Sequence, residues 1–374
     1  MNPILFFIAF LGVFSLINFY ISKRFIQKLD LSQKTKFYLR IFLIINFLGI
    51  IAYMFGRYYI EFSSWLYFLV SLPIGVLFLI FCTAIIYDIL RVALDKTPMS
   101  YTRRRFFKKS LDISSLVVAT SLSARAMYEA RFVKLETVDI KIKNLKKEYK
   151  IVQISDIHIG GLIDAEFIAK IIKRINILKP DLVVITGDLV DIALDKAQEA
   201  LQEFTKLESK YGTFFIVGNH EYFHKIEDII QKVKSLGIRV LENENVYIGE
   251  DEEGFNLAGV YDEFGYRVEM YEPDIYKAMQ GRDKSSPTIL LAHQPKFVEQ
   301  VQSGVDLMLS GHTHGGQLYP FRFLVKLQQP YISGLHQHNE DLQVYVNKGT
   351  GFWGPPMRLG ATSEITQINL KMST

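Results

Sequence analysis

Ile151-Val152-Gln153-Ile154-Ser155-Asp156-Ile157-His158 decides how this chain reads. A short β-branched apolar run gives way at once to a carboxylate and an imidazole two positions apart. The same pattern recurs downstream. Leu182-Val183-Val184-Ile185 runs into Gly187-Asp188, and Thr213-Phe214-Phe215-Ile216-Val217 into Gly218-Asn219-His220-Glu221. Thr288-Ile289-Leu290-Leu291 runs into His293, and Leu307-Met308-Leu309 into Gly311-His312-Thr313-His314. Runs this apolar read as strands covered on both faces. In α/β sheets, ligands sit in the crevice at the carboxyl ends of the strands, so five such ends can converge on one cavity.

The residue types narrow the chemistry. Carboxylate, amide oxygen and imidazole, with no cysteine nearby, suit Mn, Fe or Zn in a reactive site rather than a structural thiolate zinc. Two ions about 3.5–4 Å apart need a bridging carboxylate, and such a pair can hold a hydroxide nucleophile and neutralise a phosphoryl group. Asp188 is the natural bridge. Glycines at the motif edges, among them Gly187, Gly218 and Gly311, permit tight turns and close backbone approach to an anion. Five of the eight histidines fall inside these blocks, a concentration that independent core or surface histidines would not produce.

As a set and in this order, the blocks resemble those of the calcineurin-like metallophosphoesterase superfamily, over residues 151–316. The resemblance implies a four-layer α/β/β/α sandwich and two divalent metal ions. It implies that Asp156, His158, Asp188 and His314 hold one ion and that Asp188, Asn219, His293 and His312 hold the other. It also makes His220 the general acid, a role suited to an imidazole titrating near neutrality. Gly311-His312-Thr313-His314-Gly315-Gly316-Gln317 with Tyr319-Pro320-Phe321 resembles the bacterial membrane-associated branch, which includes UDP-diacylglucosamine hydrolases.

Other polar residues read more plainly. Asp191 either orders the metal shell or caps the next helix. His224 reads as a solvated surface group, and His336 and His338 as members of an exposed loop. Helices are expected over 164–178, 195–210, 224–236 and 295–302, with Asp164 and Asp195 as caps. Late strands near 257–260, 344–346 and 365–368 suggest a second sheet.

The first third of the chain speaks to location. Residues 3–22 and 62–87 carry no charge over 20 and 26 positions, and 41–56 none over 16, between Arg40 and Arg57. A helix needs ~20 apolar residues to cross a bilayer, and flanking arginines can snorkel, so three spans are expected. Next come Arg103-Arg104-Arg105, an uncharged stretch of 12 residues over 113–124, and Ala124-Arg125-Ala126, which resemble an internal twin-arginine export signal. The connection over 23–40 and the segment after the third span are rich in Lys and Arg, whereas the link after the second carries only Arg57 and Glu61. By the positive-inside rule both basic segments are cytoplasmic. If 113–124 crosses, the catalytic domain emerges outside the cytoplasm; if it does not, the domain stays in the cytosol.

The expected organisation is therefore a membrane region over 1–110, a twin-arginine-like or fourth membrane segment over 111–130, and a catalytic domain over 131–374. The segment 321–327 alternates apolar side chains with Arg322 and Lys326 and fits either a lipid surface or a core edge. Residues 1–110 carry 14 Lys/Arg and 4 Asp/Glu, which leaves 29 basic against 35 acidic residues in the remainder. A net-acidic catalytic part does not attract polyanions, so nucleic acid is not expected as the substrate. Cys82 is the single cysteine, which excludes an intrachain disulfide. The expected activity is hydrolysis of a phosphomonoester, phosphodiester or pyrophosphate at the membrane, with membrane lipids as partners and a lipid-linked or envelope precursor as a candidate substrate. The alternative is a membrane protein whose soluble domain binds metal or a phosphorylated ligand without hydrolysis.

Overall fold

Strands β2 (Tyr149–Ile154), β3 (Leu182–Thr186), β4 (Thr213–Ile216), β7 (Phe255–Gly259), β8 (Thr288–Leu291), β9 (Leu307–Ser310) and β11 (Gln343–Val346) form where the apolar runs stand. The computed structural model describes residues 3–58 and 62–373. Among these residues, β1 (Val133–Ile142), β5 (Arg239–Val240), β6 (Glu244–Ile248), β10 (Gly334–Gln337) and β12 (Ser363–Met372) complete two six-stranded sheets. Their orders are β1-β12-β2-β3-β4-β5 and β10-β11-β9-β8-β7-β6. The runs from β2 to β5 and from β7 through β8 and β9 to β11 are parallel, which lines their carboxyl ends up on one edge.

Side-chain alternation sets the layers. Ile151, Val184, Phe214, Ile289, Leu309 and Tyr345 join one buried cluster drawn from both sheets. Their neighbours Val152, Val183 and Phe215 face the other way, onto α5 (Ala165–Leu178), α6 (Leu194–Glu203) and α7 (Ile226–Ser235). Leu290, Met308 and Val344 pack on the short helical segments Ile275–Ala278 and Pro295–Gln300. Both faces of the central strands β2–β4 and β7–β9 are covered, which is why those strands are apolar at nearly every position, whereas β1 and β10 keep exposed polar ones. The layers are α/β/β/α.

Local details depart from the sequence expectations in five places. The late strand near 365–368 is β12, which pairs with β1 and β2 in the first sheet and does not join 257–260 and 344–346 in the second. Asp164 caps α5, accepting from Phe167 N at 2.9 Å, but Asp195 does not cap α6. The cap position there is Ala193, and Asp195 sits in the first turn, where its charge still meets the positive helix end. The expected helix to residue 210 stops at Glu203 and tightens into a 3₁₀ turn, Phe204–Lys206. Pro295–Gln300 is likewise 3₁₀ rather than α. His336 lies within β10, paired with Val344, and not in a loop.

The chain divides into a helical unit, residues 1–129 with 354–359, and a globular unit, residues 130–353 with 360–374. The helical unit contains α1 (Pro3–Tyr20), α2 (Gln33–Tyr58), α3 (Ser64–Lys96) and α4 (Tyr101–Glu129). Three of its segments, Leu5–Lys28, Gln33–Gly56 and Ser64–Lys96, are long and apolar enough to cross a membrane. Glu61 and the side chain of Arg57 lie outside the described residues. At one end of the unit, Asp88 accepts from Arg24 Nε at 2.9 Å and Lys28 Nζ at 2.5 Å, while Asp112 accepts from Tyr87 Oη at 2.7 Å and from Asp30 N at 2.7 Å.

From that charged end α4 runs back along α3. Its buried positions Ser115, Ala119, Ser123 and Ala126 recur every three or four residues, and such small side chains let helices approach closely. Ala119, Thr120 and Ser123 share an apolar cavity with Val76 and Ile80 of α3. The hydroxyls of Thr120 and Ser123 donate to carbonyls one turn back, each at 2.9 Å, so neither requires water. Residues 354–359 belong to the other end of this unit, where Arg358 N donates to Ala126 O at 2.8 Å and Gly354 lies against Tyr53.

Candidate metal centre

The loops that follow β2 and β3 continue to pair after the strands end. Asp156 N donates to Gly187 O at 3.1 Å, His158 N to Asp188 O at 3.0 Å and Ile159 N to Leu189 O at 2.9 Å. Side chains are aimed by an unusual backbone: Asp156, His158, Asp188, His312 and His314 have φ of +50°, +55°, +52°, +68° and +50°. Left-handed backbone at a residue with a Cβ costs on the order of 1–2 kcal/mol. Its concentration at these residues marks a site whose surroundings hold it against that strain.

Gly187 and Gly311 are both required by contact. A Cβ on Gly187 (φ +88°) would lie 2.5 Å from His293 Nδ1 and 2.8 Å from the Gly218 backbone. One on Gly311 would overlap Ser155 Oγ and the Asp156 carboxylate. The sequence suggested room for an anion at these positions; the space is taken instead by neighbouring polar side chains and loops.

All eight sequence-predicted site residues fall into one connected cluster. Asp156, His158 and His314 form one group, with His158 Nε2 at 3.0 Å and Asp156 Oδ1 at 3.5 Å from His314 Nε2. Asp188, His293 and His312 form a second, which Asn219 joins through Oδ1, 3.2 Å from His293 Nε2. Asp188 faces both groups: its Oδ2 lies 3.3 Å from His293 Nε2, 3.8 Å from His158 Nε2 and 3.9 Å from His220 Nε2. The third group is His158, Asp191 and His220. There His220 Nδ1 stands 2.7 Å from Asp191 Oδ1, which resolves the role left open for Asp191 in favour of ordering the site. His224 is not a detached surface group either, since its Nε2 is 4.0 Å from the same carboxylate.

The donor set fits divalent ions. His293 Nδ1 must donate to the Thr186 carbonyl, 2.7 Å away, because that oxygen can only accept. Its Nε2 then faces two more acceptors, Asp188 and Asn219. Acceptors converging on one point from several strand ends is an arrangement that a divalent cation resolves, and the Thr186 contact fixes the ligating tautomer.

Burial and mutual charge set the protonation of the metal-free site. Burial pushes Asp156 up to about 6, and burial with the neighbouring Asp188 charge pushes Glu221 up to about 7. His312 is driven down to about 3 by burial and by His293, so it is neutral and ready to ligate. Burial opposes the charged forms of Asp188 and His293, but each favours the other's charge: Asp188 is held well below and His293 well above its usual range.

Asp156, Glu221 and His293 have raised folded-state values, so their contributions are full below their unfolded values and are lost as pH rises through the folded ones. Asp188 and His312 behave oppositely: the Asp188 contribution is lost only at acid pH, and the His312 gain is complete by its unfolded value of 6.5, so it offsets part of the loss below that pH and none above it. In chelator the globular unit should therefore melt at lower temperature at pH 8 than at pH 5.5. Metal binding displaces the retained protons, so the stabilisation by added Mn should grow over the same interval. A chelated protein more stable at pH 8 would contradict this account.

Sequence reasoning gave no role to three residues near the centre. Glu221, fully buried, accepts from Asp188 N (3.0 Å), Leu189 N (2.8 Å), Val190 N (3.2 Å) and Gly218 N (2.6 Å). Its only signal was its place in the Gly218–Glu221 block. Trp353 and Phe223 flank His220, with ring centroids at 6.0 Å and 5.7 Å, and nothing local in the sequence marks them.

The calcineurin-like phosphoesterase family profile matches residues 149–316. The chain is 38% identical over 370 residues to an uncharacterized metallophosphoesterase of Helicobacter pylori, covering 97% of each chain. A Campylobacter jejuni metallophosphoesterase is 35% identical over 370 residues, with 96% of each covered. The transmembrane protein with metallophosphoesterase domain of Bos taurus is 38% identical over 251 residues, which span 63% of this chain and 56% of that one. With relatives covered to 97% at this identity and the profile lying over the strand ends that carry the clustered residues, the chain belongs to the calcineurin-like metallophosphoesterase family.

Proposed function

We propose that this chain is a membrane-held hydrolase that cleaves phosphoesters with two divalent ions, of the Mn, Fe or Zn class. The observation that carries the reading is the Asp188 carboxylate, set between two ligand groups with the His220–Asp191 pair beside it. Asp156, His158, Asp188 and His314 would hold one ion; Asp188, Asn219, His293 and His312 the other. When bound, the ions supply Lewis acidity towards a phosphoryl oxygen and lower the pKa of water.

The protein's own part is orientation and proton transfer. Asp191 accepts from His220 Nδ1, which leaves Nε2 turned towards the Asp188 side of the site. From there His220 donates a proton to the departing alkoxide oxygen. General acid catalysis contributes roughly 10²–10⁴-fold, so His220→Ala should lose turnover on that scale while keeping both metals by elemental analysis. Full activity in that variant would remove the role. The primary test is hydrolysis of bis-p-nitrophenyl phosphate and p-nitrophenyl phosphate by the Mn-loaded full chain. If both ions bind and no phosphoester is cleaved, the domain is a binding module instead.

We also read the chain as a multi-pass membrane protein with its catalytic domain, residues 131–374, outside the cytoplasm. Three spans lie within 1–110, and the segment 111–130 belongs to a fourth crossing, α4. Support comes from the helical unit alone. Arg24 and Lys28 meet Asp88 at its charged end, where Lys108 and Asp112 of α4 meet Asp95 and Tyr87 of α3, and α4 then returns along α3 with its hydroxyls internally bonded. The Arg103–Arg105 run then acts as a positive-inside anchor of a retained helix rather than as a cleaved export signal. Alkaline phosphatase fused after Thr374 should be active and a green fluorescent protein dark; the reverse pattern would put the domain in the cytosol. An envelope or lipid-linked phosphoester is the substrate class that this location favours.

A further inference from the structure

The globular unit carries an exposed apolar segment immediately after its last metal-ligand block. Tyr319, Phe321, Phe323, Leu324 and Leu327 are all exposed within nine residues, Leu327 to 81%, and the single helical turn Arg322–Val325 buries none of its side chains. Soluble domains rarely gather that many large apolar side chains in one stretch of surface, and such patches mark interaction sites. The core-edge alternative for this segment is thereby excluded.

Its charge points to one occupant. Arg322 and Lys326 are one turn apart, and no acidic residue occurs from Leu307 to Asn339, although the chain beyond residue 110 is net acidic. Apolar side chains interleaved with isolated cations match the acyl boundary and anionic head groups of a bilayer. A bilayer is at hand, because the same chain carries three segments able to cross one.

The segment is also built into the rim of the metal centre. Gly316, two residues past His314, packs directly against Arg322. Gln317 donates to Trp353 O at 2.8 Å and accepts from Trp353 N at 3.1 Å, and Trp353 is the ring that meets His220. Phe223, which also meets the His220 ring, is exposed as well. The proposed proton donor is thus bordered by exposed aromatic rings that continue towards the segment.

We propose that residues 319–327 insert into an anionic bilayer surface and that the substrate is an amphiphilic phosphoester, whose apolar part stays in or near that surface while its phosphoryl group reaches the metal centre. The substrate half of this proposal rests on the phosphoesterase reading; the membrane-docking half does not. An apolar leaving group or its glycerol-like neck would then lie along the Phe223 and Trp353 rings beside His220.

The test reads insertion without requiring turnover. In the full chain with Cys82→Ala, Leu327→Cys carries an environment-sensitive nitrobenzoxadiazole label, and the protein is reconstituted in nanodiscs of phosphatidylcholine with a third phosphatidylglycerol. Emission should shift to the blue and be quenched at least twofold by shallow doxyl-labelled lipid. The same label on Ile177→Cys, an exposed position on α5, should be unaffected. Arg322→Gln with Lys326→Gln should cut the quenching by half or more, and neutral discs should do the same to the parent. Equal quenching at both label positions, or none at 327, overturns docking; so does a blue shift that depends on protein concentration and not on lipid, which would assign the face to a second copy. With docking established, Phe323→Asp with Leu324→Asp should lower the rate on a bilayer-embedded phosphoester relative to p-nitrophenyl phosphate by tenfold or more. An unchanged ratio overturns the amphiphilic substrate. Absence of hydrolysis of every ester, with quenching intact, would refute the phosphoesterase reading alone.

Discussion

Asp188→Asn should abolish hydrolysis while leaving the globular unit folded. The Asp188 carboxylate has one oxygen within 3.3–3.9 Å of the Nε2 atoms of three histidines, drawn from both ligand groups and from His220. An amide keeps an oxygen to accept from His220 N, as Asp188 Oδ1 does at 2.8 Å, so the loop geometry persists. It lacks the charge that would hold two cations close together. Residues that act as one unit lose nearly all its effect when one is removed, so turnover should fall by at least ~10⁴-fold. The metal stoichiometry should fall from two towards one or none, with the circular dichroism spectrum preserved. Activity within tenfold of the parent would show that the two ligand groups do not operate through Asp188.

Glu221→Ala should be the most destabilising single change at the site. Four buried N–H groups, from the loops after β3 and β4, point at this carboxylate. Each buried donor left unsatisfied costs about 1–3 kcal/mol. Partial relaxation and water entry reduce the sum over the four donors to about 3–5 kcal/mol. For a unit of this size that is a fall in Tm of roughly 10 °C. Glu221→Gln should recover part of it, because one oxygen still accepts while the amide N–H₂ opposes the remaining donors. An Ala variant melting within 2 °C of the parent would mean that these loops are held by other contacts. Because Asp188 and Asn219 sit in the braced loops, metal affinity should drop in parallel with stability.

The two variants separate holding the metals from holding the loops that present them. Asp188→Asn should lose metals with little loss of Tm in chelator. Glu221→Ala should lose Tm in chelator first and metals as a consequence.

The sequence by itself determined the central strands, the end of each at which the clustered polar residues begin, and the segments long and apolar enough to cross a membrane. These are local readings. A strand buried on both faces must be apolar throughout, and a chain entering lipid must be apolar for ~20 residues, so composition over a short window carries the answer. It also placed the ligand blocks, because Asp156, Asp188, Asn219 and the histidines follow directly on those strands. Tertiary structure alone decided the partners. β1 pairs in parallel with β12, the first strand of the globular unit with the last, through a register no local pattern encodes. Asp191 meets His220 across 29 residues and Gln317 meets Trp353 across 36. Hydroxyl-bearing α4 becomes a packed helix only because α3 offers it a face. Periodicity reports which side of an element is buried, but which group lies opposite is set by the packing of the whole chain.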